Sequence, residues 1–108
     1  MFHGSRKENI PGILEKGLLV NPAGVRKSGA LFGQGIYFAD YANRSSIYCR
    51  SNGNDLVIFL CEVALGKSKV VEKTMMKHAK SVQSVFCPGK NRPNPKGDKE
   101  IEEGVTIP

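Results

Sequence analysis

The first periodic run of apolar side chains predicts a short helix near the start of the chain. Its apolar positions follow the i, i+3, i+4, i+8 spacing of a helix with one buried face, namely Ile10, Ile13, Leu14 and Leu18. Asn9 suits the N-cap, Pro11 is tolerated in a first turn, and Gly17 suits the C-terminal stop. We therefore expect an amphipathic helix over residues 10–18.

The residues from Val20 to Gly35 predict a long loop. The stretch contains Asn-Pro-Ala-Gly followed by further glycines, which are turn-forming residues. Loops of this length in a compact domain are usually functional or disordered. Beyond it, Ile36–Ala39 is strand-like in composition, and Asp40 is placed to cap a helix from Tyr41 to about Arg50.

The remaining pattern contains one clear strand. Leu56–Val63 is an unbroken apolar run, which favours a central strand that is covered on both faces. Lys69–Val71 predicts a further strand, and residues 74–86 are ambiguous. Pro88–Pro108 is rich in proline and glycine and is expected to be mostly irregular. Together these elements predict a small α+β domain, with the chain expected to be the middle of a domain that is truncated at both ends.

Composition excludes several classes of protein. The 108 residues allow one domain, and no apolar run approaches the ~18–20 residues that span a bilayer. With no signal-peptide pattern at the N-terminus, we expect a soluble intracellular chain and no membrane partner. The three cysteines have neither disulfide nor zinc spacing and are expected to be free thiols, so no metal is predicted. The net charge of +6 permits contact with nucleic acid, although a solvated basic surface is favoured because stacking aromatics are not interleaved.

Three features are candidates for chemistry, and each alone has a plain structural explanation. His3-Gly4-Ser5 places a glycine where the backbone can approach a ligand. The GxG of residues 33–35 lacks the third glycine and precedes a predicted strand, so it fails as a dinucleotide fingerprint. Tyr37 and Tyr48 are aromatic faces that, together with the Ser45 hydroxyl, suit a flat heteroaromatic ring with an amide, although aromatic residues at helical spacing are more often core.

In combination, these motifs resemble the catalytic domain of the poly(ADP-ribose) polymerases. The order is His-Gly-Ser, then about 30 residues, then LFGQGIYFAD, a serine, Tyr-Cys and the CEVALG strand end. The resemblance is greatest to the nuclear, DNA-damage-responsive members and the tankyrases. It extends without gaps from Phe2 to Gly53 and continues through Leu56–Gly66.

The resemblance implies an ADP-ribosyltransferase-like fold, with short strands around a central NAD cleft. Residues 1–108 would be the NAD donor half of a catalytic domain, with 88–108 a loop before the final strands. The implied activity is transfer of ADP-ribose from NAD+, the co-substrate, to protein acceptors as poly-ADP-ribosylation, with release of nicotinamide and without a metal. It further implies a nuclear protein of DNA repair, or otherwise a cytoplasmic one, that contacts DNA only indirectly, through modules that this sequence does not contain.

The family's residue roles transfer as implications of the resemblance. His3 and Tyr37 would be the first two members of the catalytic His-Tyr-Glu signature, His3 bonding the adenosine ribose and Tyr37 covering the nicotinamide. Gly4 would bind the carboxamide through its backbone, and Ser45 through its hydroxyl. The other implied contacts to the co-substrate are Tyr48 stacked on the nicotinamide, Ser5 and Asn9 at the adenosine, Gly35 near the ligand, and Arg44 in place of a lysine.

The sequence also departs from the family's pattern. The third signature residue is a glutamate on a late strand, and the carboxylates of residues 100–103 are not accepted as substitutes, because they precede the GVxxP segment. Leu19 stands where an arginine often lies near the adenine. Two alternatives therefore stay open: a catalytically inactive module that binds NAD or a partner, and a basic nucleic-acid-binding domain.

Overall fold

A computed structural model describes residues 1–20, 31–50, 53, 55–72, 82–90, 94 and 96, and the backbone of 99–102 and 105–107. The elements in chain order are β1 (Phe2–Gly4), a 3₁₀ turn (Lys7–Asn9), α1 (Ile10–Lys16), α2 (Ala42–Ser46), β2 (Ile58–Leu60), β3 (Ser68–Val70), β4 (Ser84–Phe86), β5 (Lys99–Glu102) and β6 (Val105–Ile107). Within this part of the chain they form three two-stranded sheets, β1–β2 and β5–β6 antiparallel and β3–β4 parallel. The α+β class is confirmed.

The helix predicted after Asn9 is present. It begins after a 3₁₀ turn and ends at Gly17, whose φ of 76° lies in the left-handed region that favours glycine. Asn9 is the N-cap residue but makes no side-chain capping bond. The expected buried face is wrong for Leu14, which is 73% exposed.

The prediction of a strand over Ile36–Ala39 is wrong except at its last residue. Only Ala39 pairs with β1, through two backbone hydrogen bonds with Phe2 of 2.7 and 2.9 Å. The predicted Asp40 cap is also wrong, because the chain stays extended through Tyr41, which is the N-cap residue of α2. The helix itself is shorter than predicted and ends at Ser46.

The apolar run Leu56–Val63 forms a strand only over Ile58–Leu60. Its predicted central position is not found, since β1 is its one paired strand among the described residues. Leu56 and Leu60 are each 50% exposed. The apolar composition therefore predicted that a strand forms here, but the expectation that both of its faces are covered is wrong.

The C-terminal half contains more strand than the pattern predicted. The strand expected at Lys69–Val71 is confirmed as β3, and the ambiguous stretch contains β4. The expectation that 88–108 is irregular is wrong for β5 and β6, which pair in antiparallel register. Both strands contain β-branched residues, which favour extended backbone despite the surrounding prolines and glycines. Residues 21–30 of the predicted long loop lie outside the described residues.

The most buried side chains of the described residues lie mainly where α2 meets β1 and β2. Ser45 and Cys49 are each 3% exposed, and Val71 beside β3 is 5% exposed. Among the described helices, none is both long and apolar enough to cross a membrane. The junction between α2 and the β1–β2 pair therefore positions the candidate site.

Candidate functional site

Strand β1 has two edges with different partners. Met1 exchanges two backbone hydrogen bonds with Cys61, of 2.6 and 2.8 Å, on the β2 edge. Since bonded and non-bonded pairs alternate in an antiparallel ladder, His3 is the next residue bonded to β2, and Phe2 and Gly4 face the opposite edge. Phe2 confirms this, because its N–H and C=O bond Ala39 there.

The opposite edge of β1 is left open at Gly4. Continuing the Phe2–Ala39 register would place Tyr37 opposite Gly4. The Tyr37 carbonyl instead lies 2.8 Å from Nδ1 of the His3 ring. Among the described residues, the backbone ladder on this edge therefore stops at Phe2–Ala39, and the Gly4 N–H and C=O face a position without a strand partner. An N–H donor and a C=O acceptor side by side are suited to a carboxamide, which needs one of each.

His3 is held in one tautomer. A carbonyl oxygen accepts but does not donate, so Nδ1 carries the proton in its hydrogen bond to Tyr37, and Nε2 remains for a ligand. The ring also lies between two aromatic side chains, with centroid distances of 5.7 Å to Phe38 and 6.4 Å to Phe59. These contacts fix the orientation of the imidazole.

Gly4 is in direct contact with α2. A Cβ on Gly4 would lie 1.9 Å from the Ser45 carbonyl oxygen and 3.2 Å from the Cys49 Sγ. Only glycine allows β1 and α2 to approach this closely. The His-Gly-Ser motif therefore has a packing role beside the ligand role that the resemblance implies.

The Ser45 hydroxyl lies at the same junction. It donates a hydrogen bond to the Phe2 carbonyl at 3.0 Å, on the open edge of β1. Its oxygen keeps lone pairs that can accept a second bond. The fold thus brings together Ser45 and Gly4, which lie about 40 residues apart in the sequence, while their shared role in binding a ligand stays a prediction.

The Tyr37 side chain holds the end of the preceding turn. Its hydroxyl donates to the Gly33 carbonyl at 2.5 Å and accepts from the Phe32 N–H at 3.2 Å. The side chain is 39% exposed, so one part of the ring is available to a ligand. The loop end and the aromatic ring therefore form one unit.

Ser5 and Asn9 are also brought together. The Asn9 amide donates to Ser5 Oγ at 3.0 Å, which links the end of β1 to the start of α1. A cavity of about 220 Å³ lies beside them, and its lining residues are Ser5, Lys7, Ile10, Cys49, Asp55 and Val57. Ser5, one of the two residues predicted for the adenosine half, thus borders space that a ligand could enter.

Among the described residues, the Tyr48 and Arg44 side chains make no hydrogen bond to this cluster, although the Tyr48 backbone N–H donates to the Ser45 carbonyl at 3.1 Å. Tyr48 is half-buried, and no ring contact joins it to Tyr37 among the described residues. Arg44 is exposed on α2. Gly35 is exposed, and a Cβ there would meet nothing within 4 Å, so packing does not require the glycine.

Sequence reasoning missed three residues of the site. Phe38 and Phe59 enclose the His3 ring, and Cys49 packs beneath Gly4. Phe59 is the register partner of His3, a long-range pairing that no local pattern indicates. Cys49 lies four residues after Ser45, a spacing that could have indicated that the two side chains lie on the same side of the predicted helix over residues 41–50.

Metal ligation finds no support in the described part of the chain. No three His, Cys, Asp or Glu side chains there come together as a metal would require. The three cysteines are free thiols. The expectation of metal-free chemistry stays a prediction.

A family model described as the poly(ADP-ribose) polymerase catalytic domain matches residues 1–108. The chain belongs to this family. It is 39% identical to poly [ADP-ribose] polymerase 2 of Arabidopsis thaliana and 37% identical to poly [ADP-ribose] polymerase 1 of Caenorhabditis elegans, with all of this chain aligned. Poly [ADP-ribose] polymerase 1 of Danio rerio is 38% identical over the whole chain. The chain spans 18%, 12% and 11% of the lengths of these relatives. The His-Gly-Ser and GQGIYFAD motifs of this chain predicted membership of this polymerase family, and the prediction is confirmed.

Proposed function

We propose that this protein is an NAD+ ADP-ribosyltransferase that transfers ADP-ribose to protein acceptors, building polymer, with release of nicotinamide. The observation that carries the proposal is the open edge of β1, where the Gly4 backbone presents an N–H and a C=O beside the Ser45 hydroxyl. The family assignment adds the reaction class.

The nicotinamide end of NAD+ binds at Gly4. The Gly4 N–H donates to the carboxamide oxygen, and the Gly4 C=O accepts from the amide nitrogen. Ser45 adds its hydroxyl to the same carboxamide. Tyr37 covers one side of the ring and Tyr48 stacks on the other, which suits a flat apolar ring with a polar handle.

The adenosine end binds along the start of the chain. His3 contacts a hydroxyl of the adenosine ribose through Nε2, the nitrogen that the Tyr37 carbonyl leaves available. Ser5 and Asn9, which are already hydrogen-bonded to each other, contact the same half. Gly35 and Arg44 approach the co-substrate from the loop and from α2, and no metal is required by this arrangement.

The site favours cleavage of the bond between nicotinamide and ribose. When this bond breaks, its electron pair leaves with nicotinamide, and the ribose carbon gains positive character before an acceptor oxygen or nitrogen attacks it. A carboxamide held by several hydrogen bonds keeps the leaving ring in one orientation, which lowers the entropic part of the barrier. The resemblance implies a glutamate for the acceptor step. No carboxylate of residues 1–108 is assigned to that role.

The experiment measures nicotinamide release and ADP-ribose adducts by mass spectrometry, with the intact protein, NAD+ and a mixture of acceptor proteins. Turnover that is lost in Ser45→Ala supports the proposal. Binding of NAD+ without turnover would instead make the protein an inactive NAD-binding module. No binding of NAD+, together with a nucleic-acid affinity that falls steeply with salt, would overturn the proposal in favour of a basic nucleic-acid-binding domain.

We also propose a nuclear location and a role in DNA repair, by analogy with the nuclear members of the family. Contact with DNA would then be indirect, through other modules. Imaging of the tagged intact protein before and after DNA damage tests this part independently of catalysis. Uniform cytoplasmic signal under both conditions would contradict it.

A further inference from the structure

Cys49 is among the most buried side chains of the described residues, and the proposed reaction does not use it. It is 3% exposed and lies just after α2, on the turn that follows the helix. Its Sγ lies 3.2 Å from the position that a Cβ of Gly4 would occupy. The thiol therefore packs directly beneath the residue whose backbone is proposed to bind the carboxamide.

The thiol also connects α2 to the strand beside β1. Cys49 Sγ lies 3.3 Å from the Val57 carbonyl and 3.7 Å from the Ser45 carbonyl. A thiol has one proton to donate, and the nearer Val57 oxygen is its better acceptor. Val57 immediately precedes Ile58, the register partner of Gly4. One side chain thus contacts all three segments that meet at Gly4.

We propose that Cys49 is a positioning residue for the carboxamide site, an inference that rests on the proposed function. The Gly4 backbone contacts the Ser45 carbonyl directly, and the Cys49 sulfur, which is bonded to the Val57 carbonyl, holds Gly4 in that contact. A carboxamide needs both partners at hydrogen-bond distance at once, so a shift of a few tenths of an ångström at Gly4 weakens binding of the nicotinamide end.

The packing around Cys49 makes this role sensitive to truncation. The cysteine also lines the cavity of about 220 Å³, so its side chain borders this cavity as well as the Gly4 backbone. Removal of the sulfur leaves a gap that joins the cavity and takes away the contact with the Gly4 backbone. Ser5 lines the same cavity, but the hydrogen bonds of His3, Ser5 and Asn9, which are proposed for the adenosine half, do not involve Cys49.

The test compares binding of nicotinamide and of ADP-ribose to the intact protein by calorimetry. We expect Cys49→Ala to weaken nicotinamide binding about tenfold, in line with the sensitivity of positioned groups to small displacements, and to leave ADP-ribose binding within about twofold. Cys49→Ser keeps a short side chain that can donate to the Val57 carbonyl, so this variant should bind nicotinamide about as well as the wild type. Cys61→Ala, at a free cysteine that is not among the neighbours of Gly4, is the matched control and changes neither affinity.

Other results overturn the inference. Unchanged nicotinamide binding in Cys49→Ala, equal weakening of both ligands, or failure of the serine variant to restore binding would each do so. If the alanine variant does not fold, Cys49→Val is measured instead. Its branched side chain is larger than that of cysteine and lacks the donor, so it should displace Gly4 and weaken nicotinamide binding by a similar factor.

A separate measurement distinguishes failure of this inference from failure of the proposed function. Wild-type protein that binds neither nicotinamide nor NAD+ would overturn the function. Amide hydrogen exchange of the peptide that contains Gly4, without ligand, then decides the positioning role alone. Faster exchange in Cys49→Ala but not in Cys61→Ala supports the role, and equal exchange overturns it.

Discussion

Gly4 and Ser45 lie so close together that a single methyl group between them has no room. A Cβ on Gly4 would be 1.9 Å from the Ser45 carbonyl oxygen and 2.7 Å from its carbon. Both neighbouring atoms belong to the backbone, so a side-chain rotation cannot relieve the clash. The glycine therefore serves the fold and the proposed ligand site at once, and these two demands are separable by experiment.

Gly4→Ala is expected to destabilise the protein by about 1–3 kcal/mol, the usual cost of forcing extra volume into a packed contact. The shift of β1 away from α2 should also abolish nicotinamide binding. Urea unfolding and calorimetry measure the two effects. Gly12→Ala is the control, because nothing lies within 4 Å of its Cβ position in α1, and alanine there should stabilise by about 0.5–1 kcal/mol. A Gly4→Ala protein as stable as the wild type would contradict the contact.

Ser45→Ala is expected to lower the stability of the protein slightly and to weaken strongly the competition of nicotinamide with NAD+. The Phe2 carbonyl that loses the hydroxyl still accepts from the Ala39 N–H at 2.9 Å, so the stability loss should be about 0.5–1.5 kcal/mol. Nicotinamide should then compete with NAD+ about tenfold less well, a difference of ~1.4 kcal/mol in binding.

Ser46→Ala is the matched control for that change. The Ser46 hydroxyl bonds the Asn43 carbonyl within α2, away from the β1 edge. This variant should lose similar stability and keep full competition by nicotinamide. Equal loss of competition in both variants would show that the helix, rather than the Ser45 hydroxyl, matters.

Local patterns predicted the parts of the fold that depend on local interactions. The helix after Asn9 and its stop at Gly17 followed from apolar spacing and a left-handed C-terminal glycine. The strand around Phe59 followed from its apolar run. The order of the motifs predicted the family. Membership of the family indicates which residues share a site, but it does not give the distances between them.

Long-range contacts account for much of what the local patterns missed. Ile36–Ala39 has strand composition, yet it does not form a ladder beyond Ala39, because the His3 ring takes the Tyr37 carbonyl. The partner of Gly4 in α2 is equally invisible to local reasoning, since about 40 residues separate them. In β5–β6, β-branched residues outweighed the turn-forming composition around them.

His3→Phe is expected to weaken binding at the adenosine end of the co-substrate and to leave binding at the nicotinamide end nearly unchanged. Phenylalanine keeps an aromatic ring between Phe38 and Phe59, but it lacks both ring nitrogens. Loss of the bond to the Tyr37 carbonyl should cost about 1 kcal/mol of stability. Calorimetry should show NAD+ binding weakened about tenfold, since a hydrogen bond to a ribose hydroxyl is lost, with binding of free nicotinamide changed less than about threefold. Equal weakening of nicotinamide and NAD+ would place His3 at the wrong end of the site.

Tyr37→Phe is expected to release the loop end while keeping the ring. The lost hydroxyl bonds the Gly33 carbonyl and the Phe32 N–H, so amide exchange over residues 31–35 should accelerate. Nicotinamide affinity should stay within about threefold, because an aromatic face remains to cover the ring. Tyr37→Leu removes that face and should lower the affinity about tenfold. Tyr41→Phe, at a tyrosine that is 50% exposed, should leave both measurements unchanged. If Tyr37→Phe weakens nicotinamide as strongly as Tyr37→Leu does, the hydroxyl and the loop that it holds, rather than the aromatic face, determine binding.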